Sequence, residues 1–367
     1  MPAPKAKQSK TLLDITLSAG KTLMDWSLVG HRFDGQHLRK ASFLRCDLSG
    51  ASFAKAQLED LTFIECILAQ ADFRAARLSN VSFINSQCAD LVFDGAGFDG
   101  GSFIDCEAPR ASFVDAGLES LSFIKSKCAG SNFERARPFR SAFISTDLNG
   151  AHAAGLNFVR CAFPDMDLRE VDLRRSSFDR SALNMSRLDG MDLSSATFVK
   201  TNFARCSLKG TRLHGSQLAY CCFSEADAEN IDLTDAQANW AQFGGANLQN
   251  ARLDGAHLEH GGFAGAQLHG ASLRGAGILH GNFDGAQMAG ADLGNATCSG
   301  ASFAHADLTA TDFFSTQVSG SCLHGANWPD AIALVPRSDC TRDDPLRTTS
   351  ERFDPAGHPG TADSSRT

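Results

Sequence analysis

Eight residues spaced twenty apart carry the chemistry this chain could do: Arg140, Arg160, Arg180 and Lys200, followed by Tyr220, Trp240, His260 and His280. Four cations precede four rings. Guanidinium and ammonium groups hold carboxylates or phosphates, and exposed Trp, Tyr and Arg dominate binding hot spots, so the chemistry on offer is recognition of an acidic surface. A solvated edge that has merely collected long side chains is the plain alternative. Covalent chemistry finds little to work with. In His257-Leu258-Glu259-His260 the two imidazoles are three residues apart, whereas a zinc-protease motif needs them four apart on a helix. His260 and His280 could share a metal ion, yet no third ligand accompanies them. The Ser, Asp and His residues form no evident triad, and the glycines follow a period of their own rather than that of a phosphate loop. The sequence therefore points to no catalytic residue, no cofactor and no metal site.

The twenty-residue spacing needs an element to explain it. From Phe33 to Trp328, every fifth residue is apolar, sixty positions in all, and forty-eight of them are Phe or Leu. The others are Cys88, Ala108, Cys128, Pro138, Ala153, Ala228, Ala238, Ile278, Met288, Cys298, Val318 and Trp328. Two residues before each lies a second uncharged series, Ala41, Cys46, Ala51, Ala56 and onward, made largely of Ala, Ser, Thr and Cys. A period of five suits neither an α-helix nor a flat strand. It does suit a square coil, in which each pentapeptide forms one side and twenty residues close a turn. The longer period is visible directly in Phe63-Ile64, Phe83-Ile84, Phe103-Ile104, Phe123-Ile124 and Phe143-Ile144.

Units such as Ala246-Asn247-Leu248-Gln249-Asn250 and Ala291-Asp292-Leu293-Gly294-Asn295 resemble the repeat of the pentapeptide repeat family, over about four-fifths of the chain. The resemblance implies an all-β fold, a right-handed quadrilateral β-helix of about fifteen coils capped at both ends. It also implies functional classes: accessory or effector proteins of bacterial secretion systems such as type VI, and quinolone-resistance proteins that mimic DNA and bind gyrase. The expected function is a non-enzymatic protein-binding or scaffolding rod, with DNA mimicry second. A DNA mimic needs negative charge along its whole length, and here the charge is divided. Residues 110–212 carry a net +5 and residues 213–336 a net −10, within a total of −8.

Read down the coil, the cation and ring residues form one column along a corner. Folding alone gives no reason to align like charges, which repel by about 1 kcal/mol per adjacent pair in water. A second column, Leu44, Ile64, Ile84, Ile104, Ile124 and Ile144, follows the buried Phe by one residue and is expected to point outward as an aliphatic stripe. Such a stripe marks an interface with a partner or a second copy, or simply favours β structure.

The remaining chain frames the rod. Residues 1–10 read as a flexible basic tail, 11–30 as an N-terminal cap and 31–328 as the β-helix. Residues 329–336 read as a helical C-terminal cap with Asn327 at its start, and 337–367 as a disordered tail. Pro138, in an inward slot, marks an expected irregularity. No apolar run is long enough to span a membrane, no signal peptide is evident, and nine of the twelve cysteines fall in inward slots. Together these suggest a bacterial cytoplasmic protein, with secretion by a route that needs no signal peptide left open. Protein partners, acidic ones among them, and a homo-oligomer are expected, and nucleic acid is not.

Overall fold

A computed structural model describes residues 12, 13, 16, 17, 19–194, 196–328 and 330. The chain winds as a parallel β-solenoid in which each side pairs with the side twenty residues on. Leu44 pairs with Ile64, Ile64 with Ile84, Ile84 with Ile104, Ile104 with Ile124 and Ile124 with Ile144, all in register. Nearly every fifth residue turns a corner with a left-handed backbone, φ 48–64° for side chains such as Lys40, Arg45 or Glu65 and 61–76° for Gly, Glu170 being an exception.

The expectation of about fifteen uniform coils needs correction. The strands, from Thr22–Met24 to Thr197–Val199, connect through about nine turns. Beyond them the twenty-residue register continues through isolated single-residue bridges, from Thr197–Gln217 to Asp307–Asn327. On one side the residue after the inward Phe changes in step: Leu or Ile at 44, 64, 84, 104, 124 and 144 favours extended backbone, whereas Ser224, Gly244, Ala264 and Ala304 occupy the matching places in the distal coils. On the other stranded side Arg39, Glu59, Glu119 and Asp179 stand at that place within strands, so this residue does not decide the matter there.

Corners also come in two kinds. At most of them the small inward residue donates its N–H to the carbonyl three residues back, as Ala51 does to Leu48 at 2.9 Å. At the corners that end the Leu44–Ile144 side, Cys46, Cys66, Ser86, Cys106, Ser126 and Thr146 take the small slot and bond between coils. The Cys66 N–H donates to Ser86 Oγ at 3.0 Å and that of Cys106 to Ser126 Oγ at 3.1 Å, while Ser126 Oγ donates to the Phe103 carbonyl at 3.1 Å.

The core runs along the axis as stacked columns. Phe33 through Phe133 form one pile of rings and Phe43 through Phe163 another, at 4.6–5.2 Å between centroids, and the two piles meet edge to face. The first pile ends where Ala153 replaces a ring. A cavity of about 20 Å³ remains there, lined by Phe133, Pro138, Phe143, Ala153, Phe158 and Phe163 among others. Pro138 keeps register with Leu118 but has no N–H for the next coil, and its strand meets that coil only through Phe139 and Val159.

Leu13 and Leu17 are buried in the same core, as are Trp26 and Leu28. The expected tail at 1–10 and most of the segments at 329–336 and 337–367 lie outside the described residues.

Candidate functional site

The corner from Arg140 to His280 changes character midway. Its first four members end strands at Arg137–Phe139, Asn157–Val159, Ser177–Asp179 and Thr197–Val199. Its last four sit in hydrogen-bonded turns, closed by Cys221, Ala241, Gly261 and Gly281 donating to the carbonyls of Leu218, Ala238, Leu258 and Ile278. All eight have positive φ, between 50° and 63°. A left-handed corner swings the side chain away from the axis, and seven of the eight are exposed, with His260 half-buried among its neighbours.

The side chains form one continuous ladder in the distal half. Lys200 Nζ lies over the Tyr220 ring at 5.6 Å, Tyr220 stacks on Trp240 at 6.2 Å, Trp240 on His260 at 4.0 Å and His260 on His280 at 5.2 Å. The imidazole of His280 lies against Gly300, where a Cβ would come within 2.6 Å of Nδ1. Ring faces are thereby turned on one another, so edges and polar atoms are what the ladder offers outward: the Tyr hydroxyl, the indole N–H and the imidazole nitrogens.

The cation half differs from the rest of the rod in its partners. Elsewhere most cations pair with carboxylates, many on adjacent coils, as in Arg45–Asp25 at 2.8 Å, Arg110–Asp90 at 2.7 Å, Lys127–Glu107 at 2.8 Å and Arg135–Asp115 at 2.8 Å, although Lys40, Lys55, Arg77, Lys125 and Arg137 form no ion pair among the described residues. The Arg110 and Arg135 guanidiniums hold the Asp90 and Asp115 carboxyls below the usual carboxylate range by hydrogen bonding. In the column, only Arg180 has such a partner, Asp179 at 3.3 Å. Arg140 lies over its neighbour Phe139 at 5.0 Å, and Arg140, Arg160 and Lys200 form no ion pair among the described residues. Glu259, which precedes His260, and Asp284, four residues after His280, likewise form no ion pair among the described residues. The Asp284 carboxylate accepts from Ser302 Oγ and the Ala304 N–H instead.

The aliphatic stripe is in register along the side that follows this corner, but it is not the exposed ridge expected. Leu44, Ile64, Ile84, Ile104 and Ile124 are half-buried because each covers the next, and only Ile144 is exposed. Met24, paired with Leu44 and 49% exposed, begins the stripe and was missed, although it lies one period before Leu44.

No group of three metal ligands occurs among the described residues, and His257 and His260 lie on a bridge and a corner rather than a helix. The inward cysteines are free; burial pushes the Cys161 thiol up to about 11 and those of Cys206 and Cys221 to about 12, which makes them poor nucleophiles. No helix among the described residues is long and apolar enough to cross a membrane.

Comparison with known proteins agrees with this geometry. A family profile described as pentapeptide repeat region matches residues 36–107 and 156–233, and one described as pentapeptide repeats (8 copies) matches 239–276, 251–294 and 286–327. Together they take in roughly two thirds of the chain. No curated protein matches. Among solved structures, QnrB1, a plasmid-mediated fluoroquinolone resistance protein, is 19% identical, over 48% of this chain and 93% of that one, with a TM-score of 0.30. HetL, a pentapeptide repeat protein involved in heterocyst differentiation regulation in Nostoc sp. strain PCC 7120, is 22% identical over 63% and 87%, with a TM-score of 0.25.

Proposed function

Because the chain belongs to the pentapeptide repeat family, we propose that it is a non-enzymatic protein-binding rod whose Arg140–His280 corner grips an acidic protein surface. One observation carries this reading. On a rod whose other cations are largely paired with carboxylates, Arg140, Arg160 and Lys200 stay uncompensated and lie in line with an exposed Tyr and Trp, at 55% and 46%. Holding such a row costs the fold repulsion, against which it gains only the exposed ring contacts of Arg140 and Lys200 and the Arg180–Asp179 pair.

A nucleic acid fits less well. Base stacking needs an open ring face, and here the faces are turned on each other, while the acidic residues 213–336 would repel phosphates. The half-buried stripe from Met24 to Ile144 continues the contact surface towards the N-terminal end, on the adjoining side. A binding rod of this kind suits an accessory or effector protein of a bacterial secretion system.

The test is titration of a Glu/Asp-rich peptide against the full chain and against a variant carrying Arg160→Ala, Arg180→Ala and Trp240→Ala. The wild type should bind at low salt and lose the peptide as screening rises, and the variant should bind at least tenfold more weakly. Equal binding by both would remove this corner as the site.

A further inference from the structure

The column is self-complementary. It holds four cations and then four rings on equal rungs, so a two-fold axis perpendicular to the rod, midway between Lys200 and Tyr220, sets every cation opposite a ring. Lys200 meets Tyr220 of a second copy, Arg180 meets Trp240, Arg160 meets His260 and Arg140 meets His280. The rungs match because both copies share one coil rise. The same axis brings Arg160 beside Glu259 and Arg140 towards Asp284, the cations without carboxylates against the carboxylates without cations. On the larger scale it lays the +5 segment of one copy along the −10 segment of the other.

We infer that the acidic surface recognised by this corner is the distal third of a second copy of this chain, in a closed antiparallel dimer. The inference rests on the protein-binding reading above and names its partner. Two copies aligned in parallel at the same height would set cation on cation. A parallel pair slipped by four rungs would match but leave each copy half used, so it would grow into a fibre instead of closing. Rungs from 140 to 280 span about 34 Å, so a standard interface of about 800 Å² per copy would extend from this corner onto the sides that flank it. The polar, edge-on character of the ladder suits such a dimer. Imidazole nitrogens and the Tyr hydroxyl accept from Arg140, Arg160 and Lys200, the carboxylates complete the charge pairing, and Arg180 opposite the indole edge, which only donates, contributes packing alone.

Sedimentation equilibrium of the full chain at about 50 mM and about 500 mM salt tests this, with Arg160→Glu and Glu259→Arg made separately and together. Each single change sets like charges opposite at both symmetry-related contacts and should weaken the dimer at least tenfold. Mixing the two single variants should restore wild-type association, because both contacts then pair Glu with Arg; the double variant should also dimerise. Restoration on mixing shows as well that the singles are folded. A wild type that stays monomeric, singles that dimerise normally, a mixture no stronger than its parts, or an open series of larger species would each overturn the inference. If the wild type is monomeric yet still binds the acidic peptide through this corner, the dimer is wrong and the protein-binding reading stands. If neither occurs, both are wrong.

Discussion

The proximal coils and the distal coils share one period and one register, yet they are held together differently. From Thr22 to Val199 up to two of the four sides of a coil are strands and the others pair through single bridges, and inward Phe forms two interlocked piles, while bonds from Ser between coils and Arg–Asp ties occur in both halves. From Gln217 to Asn327 the contacts between sides shrink to single bridges, Leu fills the first pile's column from Leu173 to Leu293, and one Phe pile from Phe203 to Phe303 remains. The inward pattern is thus sufficient to set the coil, while the outward residues decide how stiffly it is fastened. The binding column straddles this change, with its cations on the strand-ended corners and its rings on the looser turns.

The largest test of that contrast is in the core. Phe103 stacks on Phe83 and Phe123 and meets Phe93 and Phe113 edge to face, whereas Phe263 has only Phe243 and Phe283. Phe103→Ala should cost about 3–5 kcal/mol, and Phe263→Ala about 1 kcal/mol less for want of the crossed pairs. Hydrogen exchange resolved by coil measures both, and equal losses would erase the distinction drawn from the second pile. Asp105→Ala, on an outward corner, should change little.

Next in size is the bonding between coils. Ser126→Ala strands the Cys106 N–H and leaves the Phe103 carbonyl one bond short, and should cost about 1–3 kcal/mol. The reverse change at a distal corner, Ala246→Ser, should gain nothing, because the Ala226 N–H one coil back, from which a hydroxyl at 246 would accept, already donates to the Phe223 carbonyl at 3.0 Å. A stabilising Ala246→Ser would show that the two corner types are interchangeable.

Acid gives the smallest effect. The Asp90 and Asp115 carboxyls titrate below their ordinary value of 3.8 in the folded protein because Arg110 and Arg135 bond their charged forms. A folded value below the unfolded one stabilises fully above about 3.8 and loses that contribution as pH falls through the folded value. Stability of the proximal coils should therefore be flat with respect to these two groups from pH 7 to 5 and fall below pH 3.8. Arg110→Ala with Arg135→Ala should remove that part of the acid slope, read from exchange protection as a function of pH.

Much of this was legible in the chain itself, for physical reasons. A side chain that must point to the axis every fifth residue leaves an unbroken trace, so Phe33, Leu38, Phe43 and their successors locate the core, and the twenty-residue echo aligns Ile64 with Ile84 and Arg160 with Arg180. What escaped depends on neighbours one coil away. The half-burial of Ile84 comes from Ile64 and Ile104 lying against it. The absence of cation partners at Glu259 and Asp284 shows only when the side chains around each are known. Where strands give way to single bridges is not visible in a count of apolar positions either: the inward slots continue unchanged from Phe203 to Leu323 while the pairing between sides shrinks.

The register of twenty also sets a rule for how this chain can change its length. Losing twenty residues removes a whole turn and leaves every later column in line with the ones before it. Losing five keeps each inward residue inward but swings everything downstream by a quarter turn. A deletion of one pentapeptide between Ile144 and Tyr220 would thus keep the core filled while carrying the Tyr220–His280 rings to a different face from the Met24–Ile144 stripe. In such a molecule, insertions and deletions steer the directions in which distant surfaces look, as a twist of a screw thread resets the angle of its head.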